Sequence, residues 1–219
     1  MSTIARPKPL FTLRTDELAG RQDELHKLGK TLEELQSTAD KTLLFYIAGD
    51  GGMGKTRFLQ WVYKQYEKRE PSSKIFCTSI LDLANSILRT DIDLVERIFD
   101  DIELQLTALP ESLLDSFESY KAIRDRYQLQ RSGAAATQAS TEVINAFYEG
   151  WLPLAQSGYR LIILLDTAEL LRFEDDPVRQ QFEKYGANMP TSSTKSWLEE
   201  VVKDSVETVD RTLPGVLFV

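Results

Sequence analysis

The chain has 219 residues, with 34 Asp and Glu against 26 Lys and Arg and a formal charge of −8; that is the length of one large domain, and an acidic balance that argues against a general nucleic-acid coat. Its 42% hydrophobic and 10% aromatic content can fill a core, which excludes wholesale disorder. One Cys excludes a disulfide framework and a Cys-built zinc site, and one His leaves a His-built metal centre or a Ser-His-Asp triad only His26 to use.

Residues 1–15 read as an N-terminal tail, and residues 1–9 are polar and carry Pro7 and Pro9, without the apolar core of an export leader. The longest apolar runs, 43–48 and 161–165, are too short to cross a bilayer and suit buried strands. A cytoplasmic, reducing setting is therefore expected, with Cys77 as a small core residue.

In chain order, Leu18, Leu25, Leu28, Leu32 and Leu35 predict a helix over 16–35. The unbroken apolar run in 42–48 predicts a strand at the centre of a parallel sheet, covered on both faces. A glycine-rich turn follows, then a helix over 55–68, a break at Pro71-Ser72-Ser73 and a strand over 74–80. Ile92, Val95, Ile98, Phe99, Ile102 and Leu106 mark a helix that Pro110 ends, and Leu113, Leu114, Phe117 and Tyr120 begin another. Residues 130–137 (QRSGAAAT) read as a mobile loop. A helix over 138–152 buries Val143, Ile144, Phe147 and Trp151, and Pro153 should end or kink it. A strand over 159–165 closes on Asp166, a polar loop covers 186–193, and a helix over 195–213 turns Trp197, Val201, Val202, Val206 and Val209 inward. Pro214-Gly215 introduces a last strand, 216–219. Strands alternating with helices predict an α/β fold with a mainly parallel sheet, spanning 16–219 with a helical insertion at about 91–157.

Gly49-Asp50-Gly51-Gly52-Met53-Gly54-Lys55-Thr56 satisfies G-x-x-x-x-G-K-[ST] at every fixed position, between a predicted strand and a predicted helix. Main-chain N–H groups must close around a phosphate there, and a Cβ would block some of the backbone conformations needed. The helix that follows aims its N-terminal N–H groups and positive dipole end at the same place, and Arg57 sits in its first turn. Lys55 can reach the β- and γ-phosphates, and the Thr56 hydroxyl can ligate Mg²⁺.

Such a site also needs a carboxylate for the Mg²⁺ and a group that orients water. Asp166, at the end of a buried strand, fits the first role; its other reading is a helix cap. Glu169, three residues on, has two readings side by side: a water-polarising acid, or a solvated capping Glu. The pattern Glu174-Asp175-Asp176 lacks calcium-loop spacing and reads as a solvated loop. Lys64, Lys68 and Arg69 read as solvated surface and His26, inside the first helix between apolar positions, as a residue at the boundary of its buried face.

Upstream, Leu18-Ala19-Gly20-Arg21-Gln22-Asp23-Glu24-Leu25 resembles the Gly-Arg-x-x-Glu-Leu segment that precedes the phosphate loop in STAND ATPases (signal-transduction ATPases with numerous domains) and in related AAA+ proteins. The loop's Gly-x-Gly-Gly-x-Gly-Lys-Thr form and the 161–169 segment resemble the STAND Walker A and Walker B, the latter in its NACHT form. The resemblance implies a P-loop NTPase three-layer sandwich in which 216–219 lies between the loop's strand and the Asp166 strand. It places Gly20 and Arg21 near adenine or ribose, and implies ATP or ADP with Mg²⁺ as ligands. Thr167 stands where many related ATPases carry a second acid. The family's sensor Arg, winged helix, repeats and effector domain would lie beyond Val219, so a truncated nucleotide-binding domain is expected, with weak or no hydrolysis by itself. In the complete protein the resemblance implies a signalling or defence switch reset by slow hydrolysis, and a homo-oligomer when ATP is bound. Two other readings remain: a non-hydrolysing ADP-binding scaffold module, and an AAA+-like ATPase acting on DNA, against which the −8 charge counts.

Overall fold

Among the residues that the structure, a computed structural model, describes (20–38, 41–49, 52–67, 74–85, 87–88, 90–107, 109–110, 113, 115–129, 136–168, 192–202 and 213–219), four apolar runs pair into one parallel sheet. They are β1 (Thr42–Leu44), β2 (Ile75–Asp82), β3 (Arg160–Asp166) and β4 (Val216–Phe218), in spatial order β1-β4-β3-β2. The last strand in sequence thus lies between β1 and β3, the place expected of 216–219.

Alternation along the strands builds two cores. Ile162, Leu164 and Leu217 face α1 (Gln22–Ser37) and α2 (Lys55–Tyr66). Leu161, Ile163, Val216 and Phe218 face the other side, packed with α3 (Asp91–Leu106), α5 (Ala136–Gln156) and α6 (Ser192–Val202). A 3₁₀ turn (Asp115–Phe117) and α4 (Glu118–Leu129) complete the helical connection from β2 to β3. Helices therefore lie on both faces of a buried parallel sheet, as such sheets require. Phe147 and Trp151 are core residues, fully buried, and Cys77 is a buried thiol. His26 is exposed on α1.

Several boundaries differ from the sequence reading. Helix α1 begins at Gln22, because Gly20 holds a left-handed φ of +83° outside any helix. The strand expected over 42–48 pairs only over 42–44, at an edge of the described sheet rather than its centre. Leu43, Phe45 and Ile47 pack on the α1–α2 core, whereas Leu44 and Tyr46 on the opposite side are 54% and 51% exposed. Helix α5 starts at Ala136, inside the expected loop, and runs through Pro153 to Gln156. Burial of Leu154 and Ala155 beyond the proline offsets the hydrogen bond that Pro removes. Ser192 and Ser193, expected in a loop, are helical, and the 195–213 helix is described only to Val202, with Leu213 outside it. Residues 1–19, 130–135, 169–191 and 203–212, with Lys68, Arg69, Val206 and Val209, lie outside the described residues.

Two contacts tie the layers together. Arg160 is buried at the start of β3 and donates to the carbonyls of Leu35 at 2.7 Å, Tyr159 at 2.8 Å and Ala155 at 3.2 Å. Its charge thus sits against the C-terminal ends of α1 and α5, where helix dipoles favour a cation. Burial lowers its pKa from the ordinary arginine value. On the other face, Gly150 of α5 lies against Phe117: a Cβ there would come 2.5 Å from its Cδ1 and 3.0 Å from the Ser116 carbonyl oxygen. Gly150→Ala should therefore destabilise the protein by about 1–2 kcal/mol, because overpacking outweighs alanine's helix propensity. Thermal unfolding should show a Tm lower by roughly 3–6 °C; an unchanged or higher Tm would mean that the ring can move aside.

Candidate functional site

Parallel strands send all their C-terminal ends to one edge of the sheet, where loops gather ligand-binding groups. At that edge the chain leaves β1 through 45–49, turns and enters α2. Gly52 and Gly54 sit at φ +80° and +79°, the latter as the residue before the first helical turn. A β-substituted residue would be strained at both positions. Gly49 is the first residue of the loop, and its carbonyl accepts from Lys55 Nζ at 2.7 Å. The ammonium is thereby drawn back across the turn. Asp50 and Gly51 lie outside the described residues.

The start of α2 is electrostatically unusual. No side chain caps it and its first turn contains no acid, yet it carries Lys55 and Arg57. Helix α3 shows the ordinary arrangement, with a Thr90–Asp93 capping box and Asp91 in its first turn. Cations at a helix N-terminus oppose the dipole. An anion bound there would reverse the penalty and meet the main-chain N–H groups that the first turn leaves outside the helix's own bonds.

Asp166 closes the arrangement from β3. Its Oδ2 accepts from the Thr56 hydroxyl at 2.7 Å, joining residues 110 apart in sequence. Arg21 lies against the loop. Its guanidinium donates to the Met53 carbonyl of the loop and to Glu24 Oε1, the latter at 2.7 Å. It braces the turn from α1, and Gly20 supplies the bend that precedes it. The Glu24 carboxyl is held below its ordinary pKa, first by its backbone hydrogen bond and then by Arg21.

One acid at this edge escapes sequence reasoning. Strand β2 runs to Asp82, two residues past the expected end, and a bulge after Cys77 inserts one residue. Cys77 is in register with Ile162, but Ile80 is in register with Leu164 and Asp82 with Asp166. The buried Thr78 hydroxyl at the bulge accepts from the Leu164 N–H at 3.1 Å. Thr167 then bridges the two acids: its N–H donates to Asp166 Oδ1 at 3.0 Å and its hydroxyl to Asp82 Oδ1 at 2.6 Å. It does so at φ +60°, a left-handed conformation that costs a β-branched residue about 1–2 kcal/mol. The available sequence signal was Ile80-Leu81-Asp82, which repeats the form of Leu164-Leu165-Asp166.

Beside the loop lies an open cleft, with Lys55, Asp166 and Thr167 on its polar side and Phe45, Leu59, Phe218 and Val219 among its apolar lining. Among the described residues no three His, Cys, Asp or Glu side chains form a metal cage. A divalent cation here would be shared between Thr56, Asp166, water and a ligand's own oxygens, a donor set that suits Mg²⁺. Glu169 and the acidic run 174–176 lie outside the described residues. No described helix is long and apolar enough to cross a membrane. Comparison with protein-family models, with curated proteins and with solved structures gives no match.

Proposed function

We propose that the chain is an ATP- and Mg²⁺-binding switch domain of the STAND type, with the polyphosphate held at the start of α2. The observation that carries this reading is the Thr56 Oγ1–Asp166 Oδ2 hydrogen bond beside the loop. Motif residues on the helix and an acid on a distant strand meet where a cation bound to phosphate oxygens needs them. The uncapped, cationic helix start supports the same reading.

In this scheme the loop's N–H groups and Lys55 bind the β- and γ-phosphates, and Arg21 keeps the Met53 segment in place. Thr56 and Asp166 exchange their mutual hydrogen bond for the cation. Bound Mg²⁺ neutralises phosphate charge. The γ-phosphate biases the domain's conformation only by the contacts it makes in one state and not the other. Further sensor, repeat and effector domains, and a homo-oligomer, belong to this proposal for the complete protein. A non-hydrolysing, ADP-holding module is the second reading, favoured by Thr167 standing in place of an acid.

Titration of the folded chain with ATP and ADP, with Mg²⁺ and with EDTA, tests the proposal. Saturable binding strengthened by Mg²⁺ is expected, and Asp166→Asn should remove most of the Mg²⁺ effect, at least about tenfold for the lost charged ligand. Absence of saturable binding of either nucleotide would end this reading.

A further inference from the structure

Asp82 belongs to the same edge as the proposed cation site, and separate backbone features bring it there. The bulge in β2 is the first. Continuing the register of Cys77 with Ile162 without it would set Leu81 beside Asp166; with it, Asp82 takes that place. Bulges commonly re-aim side chains beside sites in this way. In-register residues on neighbouring parallel strands share a face, so Asp82 lies on the α2 side of the sheet together with Asp166. The second feature is Thr167, held at φ +60° with one bond to each acid. Backbone strain of this kind is kept where surrounding structure requires a particular geometry. The simplest alternative role for Asp82 is a turn former, since its Oδ1 also accepts from the Ala84 N–H at 3.0 Å. That role uses Oδ1 alone. Among the described residues Oδ2 has no donor, and Asp82 is exposed.

We propose that Asp82 is the second carboxylate of the nucleotide–cation site, an outer acid that accepts from the cation's water shell and is held beside Asp166 by Thr167. The inference rests on the nucleotide reading above. Asp82 would supply, from the neighbouring strand, the second acid that the Asp166 strand lacks at Thr167. A positioned carboxylate outside the first shell is a usual means of ordering metal-bound water.

The test separates charge from fold. Asp82→Asn keeps an acceptor for Ala84 and Thr167 and removes only the charge. Thr167→Gly removes the hydroxyl, and glycine adopts the positive φ without penalty, so this variant stays folded. ADP affinity of the whole chain is measured with Mn²⁺ and with EDTA, alongside Mn²⁺ binding by electron paramagnetic resonance and a Tm for each variant. The expected result is a loss of roughly tenfold or more in the Mn²⁺-dependent part of ADP affinity for both variants, with unchanged affinity in EDTA and no fall in Tm. If Asp166→Asn loses the Mn²⁺ effect but Asp82→Asn keeps all of it, Asp82 is a turn former only and the inference falls while the nucleotide reading stands. If the wild-type chain binds neither ADP nor ATP, both fall.

Discussion

Lys55→Ala should weaken ADP and ATP binding several hundred-fold while leaving the fold intact. The ammonium donates to the Gly49 carbonyl across the turn, and the proposal has it exchange that bond for phosphate oxygens. Losing a charged partner from a hydrogen-bonded ion pair costs about 3–4 kcal/mol, which corresponds to that factor. The stability cost should stay within about 0.5 kcal/mol, because the side chain is not part of either core. Calorimetric titration and a denaturant curve on the same sample decide the matter. Equal nucleotide affinity in wild type and variant would remove Lys55 from the site, and unfolding of the variant would show that the loop bond supports the sheet.

Trp151→Ala should produce the largest loss of stability. The side chain is fully buried, its ring meets Phe76 edge-on at 6.1 Å between centroids, and its Nε1 donates to the Pro214 carbonyl at 2.8 Å. It thus fastens α5 to the turn that launches β4, the strand between β1 and β3. Truncation of a buried Trp costs about 3–5 kcal/mol, a large part of a typical total. With a urea slope of about 2 kcal/mol/M, the midpoint should fall by about 2 M. Trp151→Phe keeps a ring in place but leaves the Pro214 carbonyl without this donor, and should cost about 1–2 kcal/mol. A midpoint unchanged by the alanine variant would mean that the ring is not part of the core.

How far the sequence could be read depended on how local the cause was. The glycine-rich turn between β1 and α2 was legible because residues with special backbone angles, Gly52 and Gly54, stand between an apolar run and a helical pattern. The parallel α/β arrangement followed from apolar runs alternating with helical spacing. The edge position of β1 did not, because an apolar run reads the same whether one face is covered or two. Asp82 was hidden because the bulge that sets it beside Asp166 leaves no mark in the composition of β2. Arg160 was equally silent: its partners are main-chain carbonyls, two of them at the ends of helices, and a carbonyl carries no sequence signature. Arg21 was legible as a member of a motif, but its contact with the Met53 carbonyl needed the folded turn.

Among the described residues, the outer side of β2 meets side chains rather than another strand. Gln105 of α3 accepts from the Cys77 N–H at 3.3 Å and donates to the Cys77 carbonyl at 3.0 Å, and Asp101 accepts from the Ser79 N–H at 2.7 Å. One amide imitates a peptide unit and one carboxylate takes the next donor, so α3 blunts that border of the sheet. Strand addition at the β2 border, in assembly or in misfolded aggregates, is consequently disfavoured, and replacing Gln105 and Asp101 would open that border to it.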